Sequence, residues 1–143
     1  MKIHPELIQL FRDLEIDGVE VTRKFLEDLT KILKNRVTQF CIDFSKDIKL
    51  FLIDLRHGKF EELRNIDENK RERIDYNKLY RYEYRKFSNL RCLMVLEQDK
   101  KCIFLLSFEE DKGKKKGPDS YNTNIEAAVE YYYNRRRELE NEE

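Results

Sequence analysis

Leu79-Tyr80-Arg81-Tyr82-Glu83-Tyr84-Arg85 alternates strictly, with tyrosines at 80, 82 and 84 and Arg81, Glu83 and Arg85 beside them. A period of two belongs to an extended strand, whose successive side chains leave on opposite faces. The stretch therefore predicts a strand with an aromatic face and an ionic face. Two apolar runs follow, Leu90 to Leu96 and Cys102 to Phe108, separated by Gln98-Asp99-Lys100-Lys101. They predict an antiparallel hairpin laid beside the first strand.

Upstream, Phe40, Ile42 and Phe44 alternate with Gln39, Cys41 and Asp43, which predicts a further strand from Val37. Ser45 then caps a helix carrying Ile48, Phe51, Leu52 and Leu55, stopped near Arg56-His57-Gly58 and followed by a short turn through Phe60 and Leu63. The segment from Asn65 to Asn77 is polar and reads as a solvated connector with partial helix. At the front, Pro5 opens a helix through Leu7, Ile8, Leu10, Phe11 and Leu14, and Asp17-Gly18 breaks it. Asp17 and Glu20 have the spacing of a capping box for a second helix through Val21, Phe25, Leu29, Ile32 and Leu33.

Downstream of the hairpin, residues 109–120 form a loop with the run Lys112-Gly113-Lys114-Lys115-Lys116-Gly117-Pro118, expected to move when unliganded. Thr123 or Asn124 can cap a last helix through Ile125, Ala128, Val129 and Tyr132 that runs into Arg135-Arg136-Arg137 and an acidic end. The expected fold is α+β: a small antiparallel, mixed-edge sheet of about four strands packed with helices. The core domain would span 37–137, after a helical extension over 1–36 and before an acidic tail over 138–143.

A chain of 143 residues suits one core. Its 29 basic and 29 acidic residues cancel, but unevenly. Basic against acidic residues number 6 and 7 over 1–35, 13 and 10 over 36–90, 7 and 6 over 91–120, and 3 and 6 over 121–143. A basic middle suits an anion-binding surface, because the local field acts on a phosphate more than the net charge does. No apolar run is long enough for a membrane span and the start lacks a signal-like apolar region, so a cytoplasmic protein is expected. Cys41, Cys92 and Cys102 lie in apolar runs without CxxC spacing, which reads as core packing. His4 and His57 have no cysteine at zinc-ligand spacing, and the lysine loop is not a GxxxxGK[ST] phosphate cradle. No metal or cofactor is expected.

What remains is a concentration of cations, tyrosines and one carboxylate on consecutive strands. Arg81, Glu83 and Arg85 would share one face, with Arg91 opening the next strand close by. Guanidinium forks grip phosphate oxygens, a carboxylate between arginines stays ionised and can accept a proton, and tyrosine planes stack on unpaired bases. The plainer reading is a solvent-facing ladder of opposite charges among ordinary sheet-forming tyrosines, and composition alone favours it.

Over Val37 to Arg137 the order of strand, amphipathic helix, short helix, three antiparallel strands and closing helix resembles the RelE/ParE superfamily of bacterial toxins. The resemblance is carried by Phe40-Cys41-Ile42-Asp43-Phe44, Leu79 to Arg85, Asn89 to Val95, Ile103 to Phe108, and Asp119-Ser120-Tyr121 ahead of Asn124 to Ala128. It implies a toxin with an antitoxin partner that cuts messenger RNA on the ribosome, using the 2′-hydroxyl as nucleophile. On that resemblance Arg91, a lysine of the 112–116 run and Tyr121 are the leading site residues. Arg81 and Arg85 match paired cations of the preceding strand, and Glu83 resembles the carboxylate base of some branches. Lys112, Lys114, Lys115, Lys116, Tyr82 and Tyr84 would contact RNA. Glu109-Glu110-Asp111, the neutral overall charge and the extra N-terminus depart from the pattern. A gyrase-directed or noncatalytic binding protein of the same fold, with Tyr131 to Tyr133 and Arg135 to Arg137 as its partner surface, is the competing expectation; a nucleic-acid adaptor without toxicity is a third.

Overall fold

The computed structural model describes residues 19–34, 36–56, 64–65, 78–84, 86, 89–97, 102–111 and 120–142, together with Pro5, Gln9 and Arg12, which are helical. The architecture is α+β. Strands β1 (Val19–Val21), β2 (Arg64–Asn65), β3 (Lys78–Tyr84), β4 (Leu90–Leu96) and β5 (Cys102–Glu109) form one sheet in the order β1-β5-β4-β3-β2. Helices α1 (Arg23–Leu33), α2 (Thr38–Arg56) and α3 (Tyr121–Glu142) complete it. The β3-β4 and β4-β5 pairs are antiparallel as the alternation and the hairpin required, and β1 adds a parallel edge on β5. None of the described helices is long and apolar enough to cross a membrane.

Four sequence expectations are corrected. Residues 38–44 are helical, the start of α2, and Ser45 lies inside that helix. Phe40, Phe44 and Ile48 recur every fourth residue and are buried, whereas Ile42, which the alternation paired with them, is exposed. Both periods fit those few residues, and continuation of the four-residue stripe decided for helix. Second, residues 19–21 are a strand, and Thr22 takes the capping role assigned to Asp17: its hydroxyl accepts from Phe25 N (3.2 Å) and donates to Leu105 O (3.1 Å). One side chain thus ends the strand, starts the helix and ties both to β5. Third, a short edge strand, Arg64–Asn65 against Arg81 and Tyr80, reaches into the first residue of the stretch read as a connector. Fourth, α3 starts at Tyr121 with Ser120 as its cap, the Ser120 hydroxyl accepting from Thr123 N at 3.3 Å.

Two apolar layers sandwich the sheet. Val19, Phe25, Leu29, Leu33, Phe40, Phe44 and Ile48 pack with Tyr80, Tyr82, Tyr84, Cys92, Met94 and Phe104 on one face. Leu79, Leu93, Val95, Leu105 and Leu106 pack with Ile125, Ala128, Val129 and Tyr132 of α3 on the other. Strand β1 and helix α1 are thereby part of the central core, although they lie within the 1–36 stretch read as an extension. Phe60, Leu63, His57, the 98–101 turn and most of the first helix lie outside the described residues.

Candidate functional site

On β3, Leu79, Arg81 and Glu83 point to the α3 side, and the pairing register sets Arg81 opposite Leu93 and Glu83 opposite Arg91. The apolar layer under α3 therefore gives way to an ionic cluster at the Tyr84 end of β3. The Arg81 Nε stands 2.9 Å from the Glu83 Oε1, and the Arg91 Nε stands 3.7 Å from the same oxygen. The Arg91 Nη2 lies 3.8 Å from the Glu110 Oε2. Arg91 is 2% exposed, which makes it the largest fully buried side chain of the described residues. Enclosing a charge so completely is tolerated because two carboxylates face it, Glu83 on β3 and Glu110 just past the end of β5.

Tyr121, the first residue of α3, closes the cluster from above. The Arg81 guanidinium carbon sits 4.9 Å from the centre of its ring, within the range of a cation-π contact. Burial raises the Tyr121 phenol above its ordinary value; Arg81 pulls it back, and Glu110 and Glu83 push it up again. The phenol therefore keeps its proton at neutral pH and can give it in a hydrogen bond or to a leaving group, while its oxygen accepts from the Arg81 guanidinium.

The residues singled out from sequence thus divide. Arg81, Glu83, Arg91 and Tyr121 come together. Tyr82 and Tyr84 do not join them: they are buried at 5% and 3% exposure on the opposite face, under α2, with Phe44 edge-on to both. The Tyr82 hydroxyl donates to the Asp47 carboxylate. As core residues they cannot stack on bases, which corrects that expectation. The alternation that separates them from the cations sends them inward, since the face carrying more ring area is the one two helices cover. Arg85, Lys112, Lys114, Lys115 and Lys116 lie outside the described residues; the lysine run joins Asp111 to Ser120 in sequence, directly between Glu110 and Tyr121. Among the described residues no three His, Cys, Asp or Glu side chains converge to hold a metal ion.

Glu110 is the residue that sequence reasoning passed over, having read it as bulk acid. The signal was the hairpin register: Leu90 pairs with Glu109, so the residue that follows β5 falls beside the start of β4. Glu110 N donates to Asn89 O at 2.9 Å. Scans against protein-family models, curated proteins and solved structures returned no match to the chain.

Proposed function

We propose that this chain is the toxin of a toxin-antitoxin pair, a RelE/ParE-like endoribonuclease that cleaves messenger RNA, on the ribosome or free. The observation that carries the reading is the carboxylate of Glu83 held between Arg81 and Arg91 with the Tyr121 ring against Arg81. The element order supports it as well. A strand, two helices, three antiparallel strands and a closing helix is the order that the resemblance implies; here Val19–Val21, α1 and α2 rather than residues 37–63 supply its first part, and the two-residue edge strand β2 is an addition before β3.

In this reaction Glu83 takes the proton of a ribose 2′-hydroxyl as its oxygen bonds to the adjacent phosphorus. Arg81 and Arg91 offset the charge gathering on the non-bridging oxygens. The bond from phosphorus to the 5′-oxygen breaks, that oxygen takes a proton from the Tyr121 phenol, and a 2′,3′-cyclic phosphate remains. The lysines between Glu110 and Tyr121 supply the positive field for the RNA backbone.

One observation favours a noncatalytic, partner-binding protein instead: the cluster balances two arginines with two glutamates and buries Arg91. A structural ion network has those properties too. Controlled induction in a bacterial host, with growth and mRNA integrity followed for wild type, Glu83→Gln and Tyr121→Phe, separates the readings. Cleavage falling by about 100-fold or more in the variants, at unchanged cellular protein level, is the expected result. Arrest with intact mRNA and inhibited gyrase supercoiling would replace it with the binding reading.

A further inference from the structure

The fold disposes of Glu109, which ends β5, and of Glu110 and Asp111 after it in three ways. Glu109 pairs with Arg36 at the surface, and Asp111 is exposed. Glu110 turns inward: its side chain is 14% exposed, its Oε2 faces the Arg91 Nη2 at 3.8 Å, and its backbone is fixed to Asn89. The Nε and Nη2 of a guanidinium lie along one edge, the fork that grips two oxygens of one phosphate. On Arg91 that edge is faced by single oxygens of two carboxylates, Glu83 at Nε and Glu110 at Nη2.

The geometry points to Glu110 as an internal stand-in for a substrate phosphate, which sets the affinity of the site for phosphodiesters. It rests on reading the ionic end of the sheet as a phosphate site. Without RNA, Glu110 keeps the buried Arg91 neutralised and in place. A phosphodiester takes the same guanidinium edge only by displacing it, so the ligand competes with a tethered carboxylate. With Glu110 in place the four charged side chains sum to zero; with it displaced they carry one positive charge, the sign an anionic ligand requires. The arrangement selects a ligand that brings further contacts, such as a chain of phosphates, over an isolated anion.

Glu110→Gln keeps the shape and removes the charge, and Asp111→Asn removes the same charge one residue further on, at an exposed position outside the Arg91 pair. The measurement is binding of a short all-2′-deoxy oligonucleotide, which cannot be cut through a 2′-oxygen, by fluorescence anisotropy at fixed ionic strength beside a thermal melt. Binding should tighten about tenfold or more in Glu110→Gln, the equivalent of about 1.4 kcal/mol, and less than about twofold in Asp111→Asn. Equal tightening in both variants, no tightening in Glu110→Gln, or loss of the cooperative melt in both Glu110→Gln and Glu110→Ala would overturn the assignment. Binding does not depend on cleavage. If Glu110→Gln tightens binding while Glu83→Gln still cuts RNA, the phosphate site stands and the base assignment falls. If Glu83→Gln abolishes cutting and Glu110→Gln binds no better, the reaction stands and the stand-in falls.

Discussion

Strand β3 hands alternate residues to two faces that are stabilised in different ways. On the α1/α2 side, Tyr80, Tyr82 and Tyr84 meet Phe40, Phe44, Phe25 and Phe104 in a layer of rings and aliphatic groups. On the α3 side, Leu79 joins an apolar layer that ends within one step of the strand at Arg81, Glu83 and Arg91. The first face draws its stability from area removed from water and from close packing. The ionic end of the second buries charges whose mutual attraction mostly offsets their desolvation, so it adds little stability. An enclosed charged cluster that stabilises little is an arrangement expected where chemistry rather than folding fixes the residues.

The contrast is broken most directly at Phe44, which is 0% exposed and edge-on to Tyr82 and Tyr84. Phe44→Ala should cost about 4 kcal/mol through lost burial and the cavity left behind, read as a lowered denaturation midpoint in urea. The corresponding cut on the ionic side is Arg91→Met, which takes the counter-charge from Glu110 and leaves Glu83 with Arg81 alone, and should cost about 3 kcal/mol. The two losses differ in whether they can be repaired. Adding Glu110→Gln to Arg91→Met should recover part of the cost, because it removes the charge that Arg91 had balanced, whereas no second polar change restores a missing ring. If the double variant is as unstable as the two single losses added together, the cluster is held by packing and the contrast between faces fails.

How far this was legible in the sequence follows from the same alternation. Tyr80 to Glu83 and the two runs after it specified three strands and their order, because a period of two survives any packing partner. The alternation also showed that the cations and tyrosines part company, but not which set faces inward; α2 decides that, and α2 was misread. Phe40 and Phe44 fit both a strand and a helix when only residues 37–44 are weighed, and Ile48 breaks the tie only if the helix is allowed to run through Ser45. Arg64–Asn65 carried no periodic signal, since an edge strand of two residues draws its hydrogen bonds from Arg81 and Tyr80 rather than from its own pattern. Of the site, Arg81, Glu83 and Arg91 were readable from strand positions, whereas Tyr121, which opens α3, was singled out only through the resemblance. Glu110 needed the hairpin register, which is a relation between two strands and not a property of either.

The smallest expected effect sharpens the comparison by pH. Burial pushes the Tyr82 phenol well above its ordinary 10.0, and its hydrogen bond to Asp47 adds to the shift. On the same face burial raises the Cys92 thiol and pushes Cys102 up to about 12, from an ordinary 9.0. Each group holds its proton more tightly folded than unfolded. Stability is therefore full below the unfolded values and falls as pH rises past them, by about 1.4 kcal/mol per pH unit for each group. The decline should begin near pH 9 with the thiols and steepen above 10. Tyr82→Phe removes the hydroxyl bonded to an exposed carboxylate, so it should cost only about 1 kcal/mol at pH 7. The variant has no phenol to ionise when unfolded, so it escapes one share of the alkaline loss. Its deficit against wild type should close between pH 10 and 11, measured by urea midpoints across the range. Parallel curves would mean that the hydroxyl is not held protonated in the folded protein, and the aromatic face would then be open to water at Tyr82.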